Sequence, residues 1–253
     1  MFNKKNLYRI GFIFLAAFFV MSAVPYTYAK DTCVDCHKDD KFRVKNRSLF
    51  EYYRDWKDSV HDLAGVKCTD CHGGNPNERD KKAAHKDHFS SLTSIEKASF
   101  KLIPQRCGKC HEEVMKNFAE SRHYKALIEK ETGPHCSTCH GSMNALVYYT
   151  SLVTWTCKEC HNEYTKNRPE VVGEADKILH RINVSRSFRK WISAYYSDKE
   201  PEKVKEINAQ YKDLANSWHT FDFAQLDKKS HALLNRLKSL VNRRLSGKRK
   251  KAE

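Results

Sequence analysis

The sequence of 253 residues predicts a mainly α-helical protein with little or no β-sheet, and three observations support this prediction. All ten cysteines lie in pairs with two residues between them, a spacing of about one helical turn. Ahead of the second pair, apolar residues recur at helical intervals, at Leu49, Tyr53, Trp56 and Val60. From about Glu170 the cysteines stop, and apolar stripes of the same period fill the rest of the chain. We therefore expect a cysteine-bearing region followed by a helical hairpin or small bundle.

The first 29 residues have the features of a secretory signal peptide. Lys4, Lys5 and Arg9 give a basic start, residues 10–24 are almost wholly apolar, and small residues precede a cleavage point after Ala29. An uncleaved anchor is the alternative, but this apolar run is shorter than the roughly 20 residues needed to span a bilayer. We expect residues 1–29 to be removed and the rest to be periplasmic or secreted.

Each cysteine pair is followed directly by a histidine, so that Cys-x-x-Cys-His occurs five times. This is the attachment signature of c-type haem. Two cysteines one turn apart can each form a thioether with a haem vinyl group, and the next residue presents an imidazole to the iron as the proximal ligand. The five copies are Cys33/Cys36/His37, Cys68/Cys71/His72, Cys107/Cys110/His111, Cys136/Cys139/His140 and Cys157/Cys160/His161.

Zinc binding and disulfide formation are the two alternatives for these cysteines. Cys136/Cys139 and Cys157/Cys160 are spaced as in a zinc ribbon, and an exported protein can hold disulfides. Neither explains a histidine after every pair, because histidine makes up only about one residue in twenty. The sequence therefore predicts five covalently attached c-type haems.

The haems also account for the composition of this region. All five motifs fall between residues 33 and 161, too short a stretch to build a conventional apolar core for each haem. We expect the macrocycles themselves to form the core of residues 30–168. Without its leader the chain has a formal charge of +12, and the haem propionates would offset most of it. Export makes nucleic acid an unlikely partner of this basic chain, and a basic patch for an acidic partner is the alternative.

Eight histidines lie outside the motifs, enough to give every iron a second axial ligand. Two of them belong to an internal repeat: His61 and His123 each follow a serine by two residues and an aromatic residue by five. Each also lies between two haem motifs, the second of which continues into glycine. This predicts two di-haem units, about 33–74 and 107–141, plus a fifth haem at 157–161. We expect both histidines to end an amphipathic helix and to bind iron as distal ligands.

Four further histidines are candidate distal ligands. His85 and His88 lie three residues apart in the stretch that connects the two units, and we expect one of them to serve. His180 and His219 lie beside apolar residues of the C-terminal region and can point toward the last haems. Two other histidines are weaker candidates. His135 is too close to Cys136 to bind its own haem iron easily but could reach a neighbouring haem, and His231 is equally well explained as a ligand or as an ordinary surface residue.

Residues 169–253 are expected to form the helical region, with a basic tail at Lys248–Lys251. Ser197 to Glu200 with Pro201 is typical of a helix start, and Asp222 can cap a third helix that ends near Gly247. The apolar stripes are expected to pack as core.

Three segments resemble exported multihaem cytochromes, closest to the superfamily of cytochrome c554 and hydroxylamine oxidoreductase. They are residues 56–74, Cys107-Gly-Lys-Cys-His-Glu with its downstream Ser-x-His, and Cys136-Ser-Thr-Cys-His-Gly. The resemblance covers about residues 31–165 and implies a helical fold with closely stacked, mainly bis-histidine haems. Some members are enzymes, but the Cys-x-x-Cys-Lys motif of the related pentahaem nitrite reductases does not occur here.

The sequence thus predicts an exported pentahaem cytochrome c that relays electrons between redox partner proteins, with no catalytic residue assigned. One alternative is an oxidoreductase that acts on a small nitrogen or sulfur compound at one open haem. Another is a haem-bearing subunit of a larger respiratory complex or extracellular filament. Contact with a membrane is expected only if the leader stays uncleaved.

Overall fold

A computed structural model of the chain describes residues 31–88, 99–141, 143–145 and 150–249. Within these ranges the chain forms helices and no strand, which confirms the predicted fold class. None of the described helices is both long enough and apolar enough to cross a bilayer. The predicted leader, most of the connecting stretch after His88 and the end of the basic tail lie outside the described residues.

The first predicted di-haem unit consists of short helices. It contains α1 (Thr32–His37), α2 (Asp40–Lys45), α3 (Arg47–Lys57), α4 (Val60–Leu63) and α5 (Cys68–His72), and α6 (Lys81–Ala84) follows it. The start of α1 is held to the segment after α5, because the Thr32 hydroxyl donates to the carbonyl oxygens of Pro76 and Glu78 at 2.9 and 2.7 Å. The segment after the second motif therefore folds back on the first.

The second unit repeats this arrangement. A 3₁₀ turn at Ser99–Leu102 leads into α7 (Ile103–Gly108), α8 (Glu112–Ala119), α9 (Arg122–Lys130) and α10 (Cys136–His140). The fifth motif closes the next helix, α11 (Thr150–Cys160). In both units two consecutive helices lie between the two haem motifs, α3 and α4 in the first unit and α8 and α9 in the second. The second helix of each pair begins one residue before the repeated histidine.

The prediction that His61 and His123 each end a helix is wrong. Helix α3 stops at Lys57 and α8 stops at Ala119, and each histidine is the second residue of the following helix. The cause is the serine two residues earlier, which caps the new helix with its side-chain oxygen. The repeated histidines therefore begin a helix.

Three long helices form the C-terminal bundle: α12 (Val171–Tyr196), α13 (Pro201–Ser217) and α14 (Phe223–Arg249), with a 3₁₀ turn at Trp218–Thr220 between the last two. Asp222 caps α14 as predicted, accepting from the Gln225 amide at 3.1 Å. The predicted start at Ser197 is wrong, because α12 reaches Tyr196 and α13 begins at Pro201. Helix α14 also continues past Gly247.

The conventional apolar core lies in this bundle. It includes Ile178, Ile192, Ile207, Leu226 and Leu237, which are almost fully buried. Among the described residues before Val171, the buried apolar side chains are far fewer, chiefly Phe50, Phe118 and Leu127. The motif-bearing part of the chain thus lacks a protein core of its own, in line with the expectation that haem fills it.

Candidate haem-binding site

The ten motif cysteines are all free thiols in the structure, with no disulfide between them. In each motif the two cysteines lie about one turn apart on or at the end of a helix, with the histidine beside them. Among the described residues, no group of three or more histidine, cysteine, aspartate or glutamate side chains is arranged to hold a single metal ion. The zinc alternative therefore gains no support from the way the motifs are placed.

The two cysteines of a motif differ in their access to solvent. The first cysteine of every motif is half-buried, whereas the second is exposed in four of the five motifs, at Cys36, Cys71, Cys110 and Cys160. The polypeptide alone therefore leaves the second cysteine of these four motifs open to solvent. Cys36 is exposed because it lies in the last turn of α1, and Cys110 because it lies just beyond the end of α7. Their role as haem attachment residues stays a prediction, and exposed thiols are accessible for thioether formation.

The first three motifs lie next to one another in space, in the same order as in the sequence. The pKa of the Cys68 thiol is raised to about 12, chiefly by burial and then by Asp31 and Cys33 of the first motif. Burial and then the nearby Cys107 thiol raise the pKa of Cys71. The second motif therefore lies between the first and the third.

The third, fourth and fifth motifs also lie next to one another in the order of the sequence. A hydrogen bond between the Cys107 and Cys136 thiols raises the pKa of Cys107, and helix α10 packs against α7. Burial and then Cys157 raise the pKa of Cys139 to about 11, and α10 also packs against α11. The five motifs therefore form one continuous series in space, in the same order as in the sequence.

Every motif histidine faces a different histidine from outside the motifs. In four pairs the ring centroids lie 6.0–6.3 Å apart. These pairs are His37 with His85, His111 with His61, His140 with His219, and His161 with His123. In the fifth pair, His72 and His88 have nearly parallel planes and centroids 5.1 Å apart.

The separation in the four pairs is the one that a shared metal ion requires. An imidazole nitrogen binds a metal at about 2 Å, and the ring centre lies roughly 1.1 Å further out, so two trans rings have centroids about 6 Å apart. The centroid distances of the four pairs are therefore those of two imidazoles on opposite sides of one metal ion. The rings of His72 and His88 would have to separate by about 1 Å.

Hydrogen bonds at Nδ1 hold three of these rings in place. The Nδ1 atoms of His85, His161 and His219 each lie within hydrogen-bond distance of a backbone carbonyl oxygen, that of Lys81 at 2.7 Å, Asn167 at 2.6 Å and Asn216 at 3.1 Å. A carbonyl oxygen only accepts, so the proton is on Nδ1 and the Nε2 lone pair is free. This is the arrangement commonly found in metal-binding histidines.

Burial keeps other rings neutral. The pKa of His123 is lowered to about 4, first by burial and then by His161, and that of His88 to about 4, first by burial and then by His72. The Nδ1 atoms of His123 and His140 are buried and make no hydrogen bond within the described structure. A neutral imidazole whose nitrogen atoms are away from water is suited to binding a metal ion.

The serines of the internal repeat position His61 and His123. Ser59 and Ser121 are almost fully buried, at 2% and 1% exposure, and each is the N-cap of the helix that carries the histidine. The Ser59 hydroxyl accepts from the amides of His61 and Asp62 at 3.1 and 3.3 Å. The Ser-x-His spacing was visible in the sequence, and its meaning as a helix start was missed.

The glycines of the repeat also have equivalent conformations. Gly73 and Gly141 follow the second and fourth motifs and have φ of 72° and 76°. A Cβ atom would meet the carbonyl oxygen of Asp87 at 2.9 Å in the first case and the side-chain oxygen of Asn144 at 2.2 Å in the second. Both positions therefore favour glycine because of their positive φ, and at Gly73 the backbone of Asp87 also leaves no space for a Cβ atom.

A single large cavity connects the last three motifs. Its volume is about 2150 Å³, well above the 300–1,000 Å³ of ordinary small-molecule pockets. It is lined by motif residues, by apolar side chains such as Trp155 and Phe221, and by the faces of α12 and α13. Such a volume beside three covalent attachment motifs fits several large planar groups, which would cover the exposed indole of Trp155.

Three other histidines are not brought to a motif histidine. His180 is exposed on α12, and His231 is exposed on α14 with Asp227 at 3.8 Å. His135 lines the cavity beside Phe100, with ring centroids 6.4 Å apart. Conversely, His85 and His88 each face a motif histidine, although only one was expected to do so.

The sequence is also similar to that of known proteins that carry several haems. The chain is 28% identical over 159 residues to the C-type polyheme cytochrome OmcB of two strains of Geobacter sulfurreducens. The matched region is 60% of this chain but 19% of those relatives, so the chain spans about a fifth of their length. No protein-family model and no solved structure matches the chain.

The helical fold, the repeated attachment motifs and this similarity support one class of protein, a multihaem c-type cytochrome. Proteins of this class transfer electrons through covalently bound haem. The chain is similar to the polyheme cytochromes of Geobacter sulfurreducens in particular.

Proposed function

We propose that the protein is an exported pentahaem cytochrome c in which every iron has two histidine ligands, and that it relays electrons between redox partner proteins. The proximal ligands are His37, His72, His111, His140 and His161. Their distal partners, in the same order, are His85, His88, His61, His219 and His123. Haem iron, when bound, supplies a one-electron ferric/ferrous couple whose potential is set by its ligands and its burial.

One observation carries the proposal. Each of the five motif histidines faces one non-motif histidine, and no histidine is used twice. With both axial positions filled by protein, no motif offers the open iron that the alternative interpretation as an oxidoreductase requires. Iron held on both faces by imidazole changes oxidation state with little rearrangement, which suits a carrier.

The series of motifs supports the relay. Because each motif lies near the next one in the sequence, from the first to the fifth, the proposed haem sites form a series with two ends. The first motif, at α1, and the fifth, at the end of α11, are the ends. We propose that one partner exchanges electrons at the first motif and the other at the fifth.

Haem counting tests the stoichiometry. The chain, produced in a host that matures c-type cytochromes, is expected to have the mass of residues 30–253 plus five haems. Replacing Cys157 and Cys160 by alanine is expected to remove one haem and leave four. Retention of residues 1–29 would contradict leader cleavage, and fewer than five haems in the unmodified protein would contradict the proposed count.

A further inference from the structure

Part of the cavity wall holds two arginines to which the proposed relay gives no role. Arg186 and Arg189 lie three residues apart on α12 and line the cavity, and Tyr211 lines it from α13. The Arg189 Cζ atom lies 4.7 Å from the centre of the Tyr211 ring. Burial raises the pKa of the Tyr211 phenol, and both arginines are close enough to act in the opposite direction. The three side chains therefore lie together, and we call them the arginine cluster.

The Arg189 side chain is held in place but is incompletely paired. Its Nη1 atom donates to the Asn208 side-chain oxygen at 2.8 Å, and its guanidinium packs on the Tyr211 ring. Its Nε atom is buried and has no hydrogen-bond partner within the described structure. Arg181 of the same helix pairs with Asp227, whereas Arg189 has no carboxylate partner among the described residues. A buried guanidinium N–H without an acceptor is costly, so this position favours an anionic group.

The two helices that carry the arginine cluster supply no acidic residue to the cavity near it. On α12 the acidic lining residue is Glu174, which lies twelve residues before Arg186, about 18 Å along the helix. On α13 the described lining residues are Tyr211 and Ala215, and both are uncharged. The anionic group that Arg189 favours is therefore not supplied by these helices. Haem propionates are carboxylates, and the sequence predicts that basic residues compensate them.

The arginine cluster lies on the same side of the cavity as a proposed ligand of the fourth haem. Tyr211, Ala215 and His219 line the cavity at intervals of four residues, from α13 into the 3₁₀ turn that follows it. His219 faces His140 of the fourth motif, with ring centroids 6.0 Å apart. The other nine proposed iron ligands lie at or before His161 in the sequence. His219 therefore connects this face of the cavity to the fourth motif.

We propose that Arg189, assisted by Arg186, binds a propionate of the haem attached at the fourth motif and raises the reduction potential of that haem. This inference rests on the proposed haem sites and their ligands. The N–H groups of a guanidinium match the two oxygen atoms of a carboxylate, and Arg189 has an Nε–H group available for one of them. A nearby positive charge favours ferrous over ferric iron, because the ferrous state carries one positive charge less. Arg189 thus acts on the electron through the propionate, as a positioning residue.

A spectroelectrochemical redox titration of the mature holoprotein tests this proposal. Arg189→Gln is expected to lower the potential of about one-fifth of the haem and to leave the rest nearly unchanged. Arg189→Lys keeps the positive charge and is expected to restore most of the potential. Arg243→Gln is the matched control, because Arg243 is an exposed arginine of α14 outside the described lining of the cavity. The mass and the low-spin haem spectrum confirm that each variant is loaded and folded.

His219→Ala identifies the haem on which Arg189 acts. In this variant carbon monoxide is expected to bind the fourth iron and to hold it in the ferrous state, so that this haem leaves the titration. Adding Arg189→Gln to His219→Ala under carbon monoxide is then expected to cause no shift in the remaining haems.

Two results would overturn the proposal. One is the same titration for Arg189→Gln and for the control variant, with all haems bound. The other is a shift that persists under carbon monoxide in the double variant, which would assign Arg189 to a different haem. If Arg189→Gln loses haem, Arg186→Gln takes its place, with a smaller shift in the same direction expected and no shift counting against the proposal. Failure of the proposed function is seen separately, as a wrong haem count or as no carbon monoxide binding by His219→Ala.

Discussion

His61 and His111 face each other with ring centroids 6.2 Å apart, although they belong to different repeats of the chain. His61 lies on α4 of the first unit, and His111 is the motif histidine that opens the second. His123, the counterpart of His61, faces His161 of the fifth motif, which is the first motif after the second unit, at 6.0 Å. Each repeated histidine therefore faces the first motif that follows its own unit. The repeat thus links successive units to one another.

Replacing His61 by alanine tests this link. We expect the iron held by His111 to lose its second ligand, so that about one-fifth of the haem in the reduced protein binds carbon monoxide. His231→Ala is the control, because His231 is exposed and lies away from the motif histidines. An optical carbon monoxide titration measures the fraction. Equal carbon monoxide binding by the two variants would show that His61 does not bind iron.

Ser121→Ala tests the role of the buried cap. The Ser121 hydroxyl accepts from the Tyr124 amide at 3.0 Å at the start of α9. Its removal is expected to destabilise the fold by about 1 kcal/mol and to increase carbon monoxide binding, because His123 is the second residue of that helix. Ser246→Ala, on an exposed serine of α14, is the control. Denaturant unfolding and carbon monoxide titration are the two measurements. A loss of stability without added carbon monoxide binding would limit Ser121 to a structural role.

Replacing Gly141 or Gly173 by alanine is predicted to change the free energy of unfolding in opposite directions. Gly141 has a left-handed backbone and a side chain 2.2 Å from where its Cβ would be, so Gly141→Ala is expected to cost at least about 1–2 kcal/mol of unfolding free energy. Gly173 lies in α12 with open space within 4 Å of the position that an added Cβ would take, so Gly173→Ala is expected to add about 0.5–1 kcal/mol. Chemical denaturation measures both. A neutral Gly141→Ala would contradict the tight turn after the fourth motif.

The stability of the protein is predicted to fall as the pH is lowered from about 6.5 to 4. Burial lowers the pKa of His219 from its ordinary value of 6.5 to about 4, and the proposed binding of this ring to iron would likewise keep it unprotonated. The folded state therefore binds fewer protons than the unfolded state in this interval. The stabilisation is complete above pH 6.5 and is lost as the pH approaches 4. His219→Gln is expected to reduce the slope of unfolding free energy against pH. An unchanged slope would contradict a His219 ring that is held unprotonated in the folded state.

The attachment residues could be predicted from the sequence because the motif is local. Two cysteines and a histidine within one helical turn suffice to define it, whatever the tertiary structure. The pairing of histidines could not be predicted in this way, since it depends on how distant segments pack. His180 and His219 look alike in sequence, each beside apolar residues of the tail. The structure leaves His180 in solvent and turns His219 toward His140.

The structure places both His85 and His88 opposite a motif histidine, and this has a physical reason. His85 and His88 lie three residues apart, and one of them was expected to be a distal ligand. The chain reverses direction after the second motif, where Gly73 and Gly74 let the backbone approach Asp87 and Ala84 closely. This reversal brings His85 to His37 and His88 to His72. A turn of this kind depends on long-range contacts that helical periodicity does not report.

The most direct test of the central claim is the spin state of the ferric holoprotein, measured by low-temperature electron paramagnetic resonance with haem quantified on the same sample. Two histidine ligands on every iron predict that all five haems are low-spin and that no high-spin signal is present. A high-spin signal equal to one haem or more would show that at least one iron lacks its distal histidine. That result would contradict a pure electron relay and favour an enzyme with an open haem.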